Sequence, residues 1–183
     1  MEKFEYFQLI SNLKHLPRKG WVERGVNQPE TVASHMYRMA MCAFALKGTY
    51  DLEKVIKMCL VHDVGESIVG DITPADNVAP EEKYRQEEQA VQHIASLLPV
   101  WGKEQVLALW KAYEEEDSVE AAVVRDLDKF DMVVQAFEYE QKQGKNLSGF
   151  FQGVDVFKTE EIREWAQELY QRRNTYFNNS SLS

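Results

Sequence analysis

Apolar residues recur at three- and four-residue steps along almost the whole chain, which is the spacing of an amphipathic helix. Glycine, proline or short polar stretches separate the helical segments, which run from about 3 to 13, 29 to 46, 51 to 63, 80 to 98, 103 to 114, 117 to 143 and 159 to 176. No run of alternating apolar and polar residues lies between turn signals, as a half-buried strand would require. The pattern predicts an all-α fold.

The length of the chain, 183 residues, is that of one domain with a continuous core. It contains no internal repeat and no low-complexity segment before the polar stretch Asn178-Asn179-Ser180-Ser181-Leu182-Ser183. We therefore predict a single helical domain over residues 1–177, followed by a disordered polar tail over residues 178–183.

The charge balance narrows the classes of partner. The formal net charge is -9, which opposes binding to a nucleic acid polymer but leaves room for one small phosphate held by a local cation. No stretch approaches the roughly 18 apolar residues of a membrane span, and the first residues lack the apolar run of a signal peptide. Cys42 and Cys59 lie in apolar stretches typical of buried free thiols, although one disulfide between them is conceivable. The prediction is a reduced, cytoplasmic protein.

The pair His62-Asp63 is the first candidate for chemistry. It ends an apolar segment, where aspartate is a poor helix residue and a carboxylate is costly to bury without a cation or donors. An imidazole nitrogen and a carboxylate oxygen together suit Mn, Co, Fe or Zn. Taken alone, the pair is more often a capping aspartate beside a hydrogen-bonded histidine.

Two further segments favour a metal site. His35 lies on the apolar face of its predicted helix, where a lone histidine is more often a core residue than a ligand. Asp126, Asp128 and Asp131 lie in a long apolar segment, so at least one of them must point inward and needs a partner. One metal site shared by three helices explains these positions more economically than three coincidences. Spacing alone does not select among the three aspartates.

Several segments resemble the HD-domain 5'-deoxynucleotidases, above all the branch that contains human HD domain-containing protein 2, with the bacterial YfbR-type enzymes more distant. The resemblance covers about 4 to 170. Its segments are Ser34-His35-Met36-Tyr37-Arg38-Met39-Ala40, Leu60-Val61-His62-Asp63-Val64-Gly65-Glu66, Val69-Gly70-Asp71-Ile72-Thr73-Pro74-Ala75-Asp76, Pro17-Arg18-Lys19-Gly20-Trp21 and Leu127-Asp128 through Ala136-Phe137-Glu138-Tyr139-Glu140.

The resemblance implies a ligand set and an acidic pair beside it. The implied metal ligands are His35, His62, Asp63 and Asp128, and Asp128 is preferred because it precedes Glu138 by the family's spacing. Glu66 and Asp71 match the remaining acidic positions of the family's active site. With the backbone carbonyl of Ile72, they are associated with a second, Mg-like ion in eukaryotic relatives.

The chemistry of a phosphate monoester suggests roles for these residues. A coordinated ion neutralises phosphoryl charge and activates a water, and Glu66 is placed to orient or deprotonate that water. Asp71 either assists the leaving 5'-oxygen or joins Glu66 at the second ion. Arg18 and Arg24 offer cations for the phosphate, and Trp21 offers a surface for the base or sugar. Other acidic residues, including Glu87 and Glu114, are expected to be solvated.

The function predicted from these observations is a metal-dependent phosphohydrolase that converts deoxyribonucleoside 5'-monophosphates to deoxynucleoside and phosphate. One alternative keeps the enzyme but changes the substrate to a triphosphate, a cyclic nucleotide or an alarmone. Another is a metal-containing binding protein without turnover, which the presence of both Glu66 and Asp71 argues against. The resemblance also implies a homodimer, with Trp101, Trp110 and 150–151 as candidate contact residues.

Overall fold

The chain is helical throughout the part that the computed structural model describes, which is residues 2–180, with side chains for 4–179. Nine α-helices lie in this range: α1 Glu2–Leu13, α2 Lys19–Glu23, α3 Val32–Cys42, α4 Leu52–Cys59, α5 Glu66–Val69, α6 Pro80–Ser96, α7 Val100–Glu115, α8 Val119–Gln143 and α9 Glu160–Ser180. Four short 3-10 turns connect them, and no strand is present between residues 2 and 180. The all-α prediction is confirmed.

Three of the helices begin at a capping side chain. Thr31 accepts a hydrogen bond from the backbone N–H of Ser34 and caps α3, which starts at Val32, three residues after the predicted start at Pro29. Asp51 caps α4 and Ser118 caps α8 in the same way. These short side chains satisfy N–H groups that have no partner inside the helix.

Two of the differences from the predicted pattern lie near the pair His62-Asp63. The loop expected after Pro17 contains a short helix, α2. The helix expected to reach Asp63 ends at Cys59, and the chain continues through turns to α5. The apolar residues at 61 and 64 lie in these turns and pack into the core. They continue the helical spacing of apolar residues, so this spacing alone predicted a helix end that is too late.

The long helix α8 lies at the centre of the molecule and packs against α3, α4, α7 and α9. Most of its inward residues are apolar and buried, and they share one core with residues of α3, α4 and α9. A second core cluster includes Val32, Val91 and Trp110. Trp110 is 3% exposed and packs against Tyr84, so it is a core residue rather than the predicted dimer contact.

Helix α5 approaches α6 closely at Gly65. A Cβ at this position would lie 3.2 Å from the Glu87 carbonyl oxygen and 3.2 Å from Val91 Cγ2. Because that contact is tighter than ordinary packing, glycine lets the turn after His62-Asp63 rest directly on α6.

The last helix extends further than the sequence pattern predicted. Helix α9 continues to Ser180, so Asn178, Asn179 and Ser180 are helical where a frayed tail was predicted, because the chain prolongs the preceding helix. The rest of that predicted tail, 181–183, lies outside the described residues. Cys42 and Cys59 are free thiols. Within residues 2–180, no helix is both long enough and apolar enough to cross a membrane.

Candidate active site

His35 is fixed from behind by a carboxylate of α8. Its side chain is fully buried on α3, and Nδ1 donates a hydrogen bond to Asp131 Oδ2 over 2.7 Å. Arg38, one turn further along α3, donates to Asp131 through both Nε and Nη2, the latter to the backbone carbonyl. With Nδ1 engaged, the Nε2 atom of His35 faces the opposite side.

His62 is oriented by the end of α4. Its Nδ1 donates to the backbone carbonyl of Cys59 over 3.0 Å. The carbonyl can only accept, so Nδ1 carries a proton and Nε2 is the ring nitrogen left for another partner. The turn after Cys59 therefore brings the imidazole back to the end of the helix and directs Nε2 inward.

The two Nε2 atoms converge on Asp128. Ligand atoms of His35, His62 and Asp128 all lie within 4.8 Å of one another. Asp128 Oδ1 is 3.1 Å from His35 Nε2, while Asp63 Oδ2 is 3.1 Å from His62 Nε2 and 3.8 Å from His35 Nε2. Neither Nε2 atom has a well-formed hydrogen bond among the described residues. The structure thus brings together all four residues predicted to bind the metal.

The donor set fits a divalent cation. It offers two imidazole nitrogens, each oriented through Nδ1, and two carboxylates, which is the mixture that Mn, Co, Fe or Zn accept. Burial lowers the pKa of His35, but the carboxylates of Asp128 and Asp131 outweigh it and raise that pKa to about 9. The same negative charge attracts a metal ion, which would replace the proton on Nε2.

The three aspartates of α8 have three different environments. Asp128 faces the histidines, whereas Asp131 holds His35 from behind. Asp126 faces away from the site, and its Oδ2 accepts hydrogen bonds from the backbone N–H and the hydroxyl of Thr159 over 2.6 and 2.8 Å. Sequence spacing left the choice among them open, and the geometry separates them.

Arg18 lies directly over the carboxylates. Its Nη1 is 3.2 Å from Asp63 Oδ2, and its Nη2 is 3.8 Å from Asp128 Oδ1. Burial opposes its charge, yet Asp63 and Asp128 raise the pKa of Arg18 above its usual value. The guanidinium therefore stays charged beside the cluster and can receive an anionic group of a ligand.

Glu66 and Asp71 lie beside the ligand cluster and line the same cleft. Glu66 is 5% exposed at the start of α5, and its Oε2 lacks a hydrogen-bond partner in the described part of the chain. Burial, then the charges of Asp63 and Asp71, raise the pKa of Glu66 well above its usual value. Asp71 Oδ2 accepts from the backbone N–H of Lys19 over 2.7 Å, which ties the loop of Asp71 and Ile72 to α2.

A cleft of about 510 Å³ opens above the cluster, and its wall includes the predicted substrate contacts Arg18, Trp21 and Arg24. Trp21 differs from expectation because its indole is only 2% exposed, with Phe150 at 4.6 Å and Tyr139 at 5.4 Å between ring centroids. Its faces are therefore packed against the protein and offer no platform for a base. Arg24 is exposed, with its guanidinium 5.6 Å from the Phe150 ring centre.

Sequence reasoning missed several residues of the cleft. Tyr113, Lys83, Glu87, Glu114 and Arg125 all line it, and the structure corrects the expectation that Glu87 and Glu114 are solvated. Their side chains are only 13% and 19% exposed. An amphipathic helix pattern cannot reveal them, because they lie at the edge between the polar and apolar faces of α6 and α7.

Known proteins resemble this chain over nearly its whole length. A family profile described as HD domain matches residues 10–170. The 5'-deoxynucleotidase HDDC2 of Xenopus laevis is 41% identical over 175 residues, which is 93% of this chain and 87% of the relative. The human protein of the same name is also 41% identical, over 93% of this chain and 86% of the relative. A solved structure, described as a conserved hypothetical protein from Pyrococcus furiosus, is 32% identical with a TM-score of 0.77, over 92% of this chain and 99% of that one.

Proposed function

Because this chain belongs to the HD-domain family and to its 5'-deoxynucleotidase branch, we propose that it is a metal-dependent phosphohydrolase of deoxyribonucleoside 5'-monophosphates. The products are a deoxynucleoside and phosphate. The observation that carries the proposal is the convergence of His35, His62 and Asp128, with ligand atoms within 4.8 Å of one another, below a cleft that contains Arg18.

We assign the metal to His35, His62, Asp63 and Asp128, with Mn, Co, Fe or Zn as the ion. When bound, such an ion neutralises charge on the phosphoryl oxygens and makes water nucleophilic near neutral pH. Glu66, Asp71 and the backbone carbonyl of Ile72 would hold a second ion that prefers oxygen ligands, such as Mg.

The chain's own groups account for binding and proton transfer. Arg18 binds phosphate oxygens beside the ligands, where its guanidinium already lies 3.2 Å from Asp63. Glu66 orients the attacking water and, in its ionised form, takes its proton. Burial beside Asp63 and Asp71 raises the pKa of Glu66, which makes its carboxylate a stronger base than that of an exposed glutamate. When no second ion is held, Asp71 is free to assist the leaving 5'-oxygen. The Phe150 ring lines the cleft and packs against Trp21. The Arg24 guanidinium lies beside the Phe150 ring.

The test is phosphate release from a panel of deoxy- and ribonucleoside 5'-monophosphates. Metal-stripped protein is assayed alone and with Mn, Co, Mg or Zn added back. Asp63→Ala is the site variant, and Asp155→Ala is its control, because Asp155 is an exposed aspartate in the turn before α9. We expect release from deoxynucleotides that needs metal, persists in Asp155→Ala and disappears in Asp63→Ala.

If no monophosphate released phosphate while metal was demonstrably bound, the nucleotidase activity would be contradicted. Triphosphates, cyclic nucleotides and alarmones would then be assayed, and inactivity on all of them would leave a metal-containing binding protein. Release that survives Asp63→Ala would place the activity outside this site.

We further propose that the protein is a cytoplasmic homodimer, as the family resemblance implies. Trp101 is 70% exposed and remains a candidate contact, while 150–151 are partly buried near the cleft. Sedimentation of the wild type and of Trp101→Ala tests this proposal. If Trp101 lies in the dimer contact, the association constant of the variant should be lower than that of the wild type.

A further inference from the structure

Tyr113 has no role in the chemistry described above, yet it touches two of the assigned ligands. It lies in the last turn of α7 and is 4% exposed. Its hydroxyl donates a hydrogen bond to Asp128 Oδ2 over 3.0 Å, and its ring centre is 4.9 Å from that of His62. The side chain therefore fills the space between these two ligands on the cleft side.

The two oxygens of Asp128 have separate partners. Oδ1 is 3.1 Å from His35 Nε2, on the side where the ligand atoms converge. Oδ2 is held by the Tyr113 hydroxyl. An aspartate without this hydrogen bond could rotate about its terminal bond and present either oxygen, or both, to a cation.

Arg125 holds Tyr113 in place. Its guanidinium carbon is 4.1 Å from the Tyr113 ring centre, and its Nε donates to the Tyr113 backbone carbonyl over 3.1 Å. Its Nη2 donates to the Glu114 carbonyl over 3.3 Å. Arg125 precedes Asp128 by one helical turn, so it joins the end of α7 to the part of α8 that carries the ligand.

We propose that Tyr113 is a positioning residue, which reserves Oδ1 of Asp128 for the metal ion by engaging Oδ2, and that Arg125 acts through it. This inference rests on the proposed metal site and deepens it. Engaging one oxygen of Asp128 leaves positions around the ion open for water and phosphate, as a catalytic site requires.

The test measures metal affinity without substrate. Metal-stripped protein is titrated with Mn²⁺, and the free ion is followed by electron paramagnetic resonance. Tyr113→Phe removes the hydroxyl and keeps the ring against His62 and Arg125. We expect its dissociation constant for Mn²⁺ to rise about 10-fold, the lower end of the effect of losing an outer-shell partner. The thermal unfolding midpoint of the metal-free protein is measured alongside.

The matched control is Tyr170→Phe. The Tyr170 hydroxyl is also buried but has no hydrogen-bond partner among residues 4–179, and its ring packs on Phe151 at 5.5 Å. A rise in the dissociation constant for Tyr113→Phe alone supports the proposal. An unchanged constant, whatever happens to the unfolding midpoint, overturns it, and so does an equal rise in the control.

Arg125→Met supplies a second, independent variant should Tyr113→Phe fail to fold. It keeps much of the length of Arg125 without its donors, and it should weaken Mn²⁺ binding in the same direction. In the double variant the two effects should not add, because both act on one hydrogen bond. Additive effects would overturn the part given to Arg125. A wild type that binds no Mn²⁺ would overturn the metal site itself, whereas normal binding in wild type and Tyr113→Phe overturns only this inference.

Discussion

Glu66 holds its proton to a higher pH than an exposed glutamate does, because it is buried among like charges. This makes it the residue whose removal should separate turnover from binding. We expect Glu66→Gln to lower kcat by about 10²- to 10⁴-fold, the usual contribution of a general base. The Mn²⁺ affinity of the four-ligand site should change little.

The measurement is steady-state phosphate release with Mn²⁺ at saturation, together with a Mn²⁺ titration. Glu81→Gln is the control, since Glu81 is exposed in the first turn of α6. A Glu66→Gln enzyme with wild-type kcat would remove Glu66 from proton transfer.

Glu87 predicts a pH dependence of stability. Burial, partly offset by Lys83, raises the pKa of Glu87 from 4.5 to about 7. The folded state therefore binds the proton more tightly than the unfolded state, so this contribution to stability is complete below pH 4.5 and is lost as pH rises toward 7. Glu87→Gln keeps a neutral side chain throughout and should remove the loss.

Urea unfolding at pH 4.5 and pH 8 measures this effect. Relative to wild type, Glu87→Gln should gain on the order of 1–3 kcal/mol in free energy of unfolding between the lower and the higher pH. Glu81→Gln provides the comparison, because Glu81 is an exposed glutamate in the first turn of the same helix. A difference that does not vary with pH would show that Glu87 titrates normally in the folded protein.

At the residue scale, the ligand candidates were predictable and their surroundings were not. His35, His62, Asp63 and Asp128 have the chemistry of ligands, and the structure gathers them. The indole of Trp21 looked available in the sequence, but it is covered by Phe150, which lies 129 positions further along the chain and cannot be anticipated from local pattern.

At the scale of elements, Asp126 joins two helices. Its carboxylate receives two hydrogen bonds from Thr159, the residue before α9, so it fixes the start of the last helix against α8. Asp126→Ala should lower the free energy of unfolding by about 1–3 kcal/mol, because the backbone N–H of Thr159 loses its partner. Metal binding should persist.

Urea unfolding and a Mn²⁺ titration of the same samples check this prediction. The informative comparison is Asp128→Ala, two residues away on the same helix, which should abolish high-affinity Mn²⁺ binding. If Asp126→Ala lost metal affinity while keeping its stability, the separation of the two aspartates would be wrong.

The helices themselves were largely predictable, because each buries one apolar face and three of them, α3, α4 and α8, begin at a capping side chain. Their ends were less so. The apolar residues Val61 and Val64 extend the pattern of α4 beyond its end at Cys59, although they belong to turns. In this turn the His62 side chain donates a hydrogen bond to the Cys59 carbonyl. The spacing of apolar residues does not reveal such a turn.

At the scale of the whole molecule, the fold class and the family were predictable from the sequence, and the comparisons confirm both. Helical spacing and a few specific segments suffice for that. The same sequence does not distinguish Trp101, which is exposed, from Trp110, which is buried against Tyr84. That difference depends on how α6 and α7 pack, a property of tertiary structure alone.

The ligand cluster draws on residues 35, 62 and 128, and it is complete only after α8 has packed on α3 and α4. Contacts between such distant positions form late, because a long loop must close first. A bound ion would then stabilise the native state much more than the folding transition state, so it would slow unfolding while leaving the folding rate nearly unchanged. The lifetime of each molecule against proteases would therefore follow the supply of metal, whereas the time it needs to fold would not.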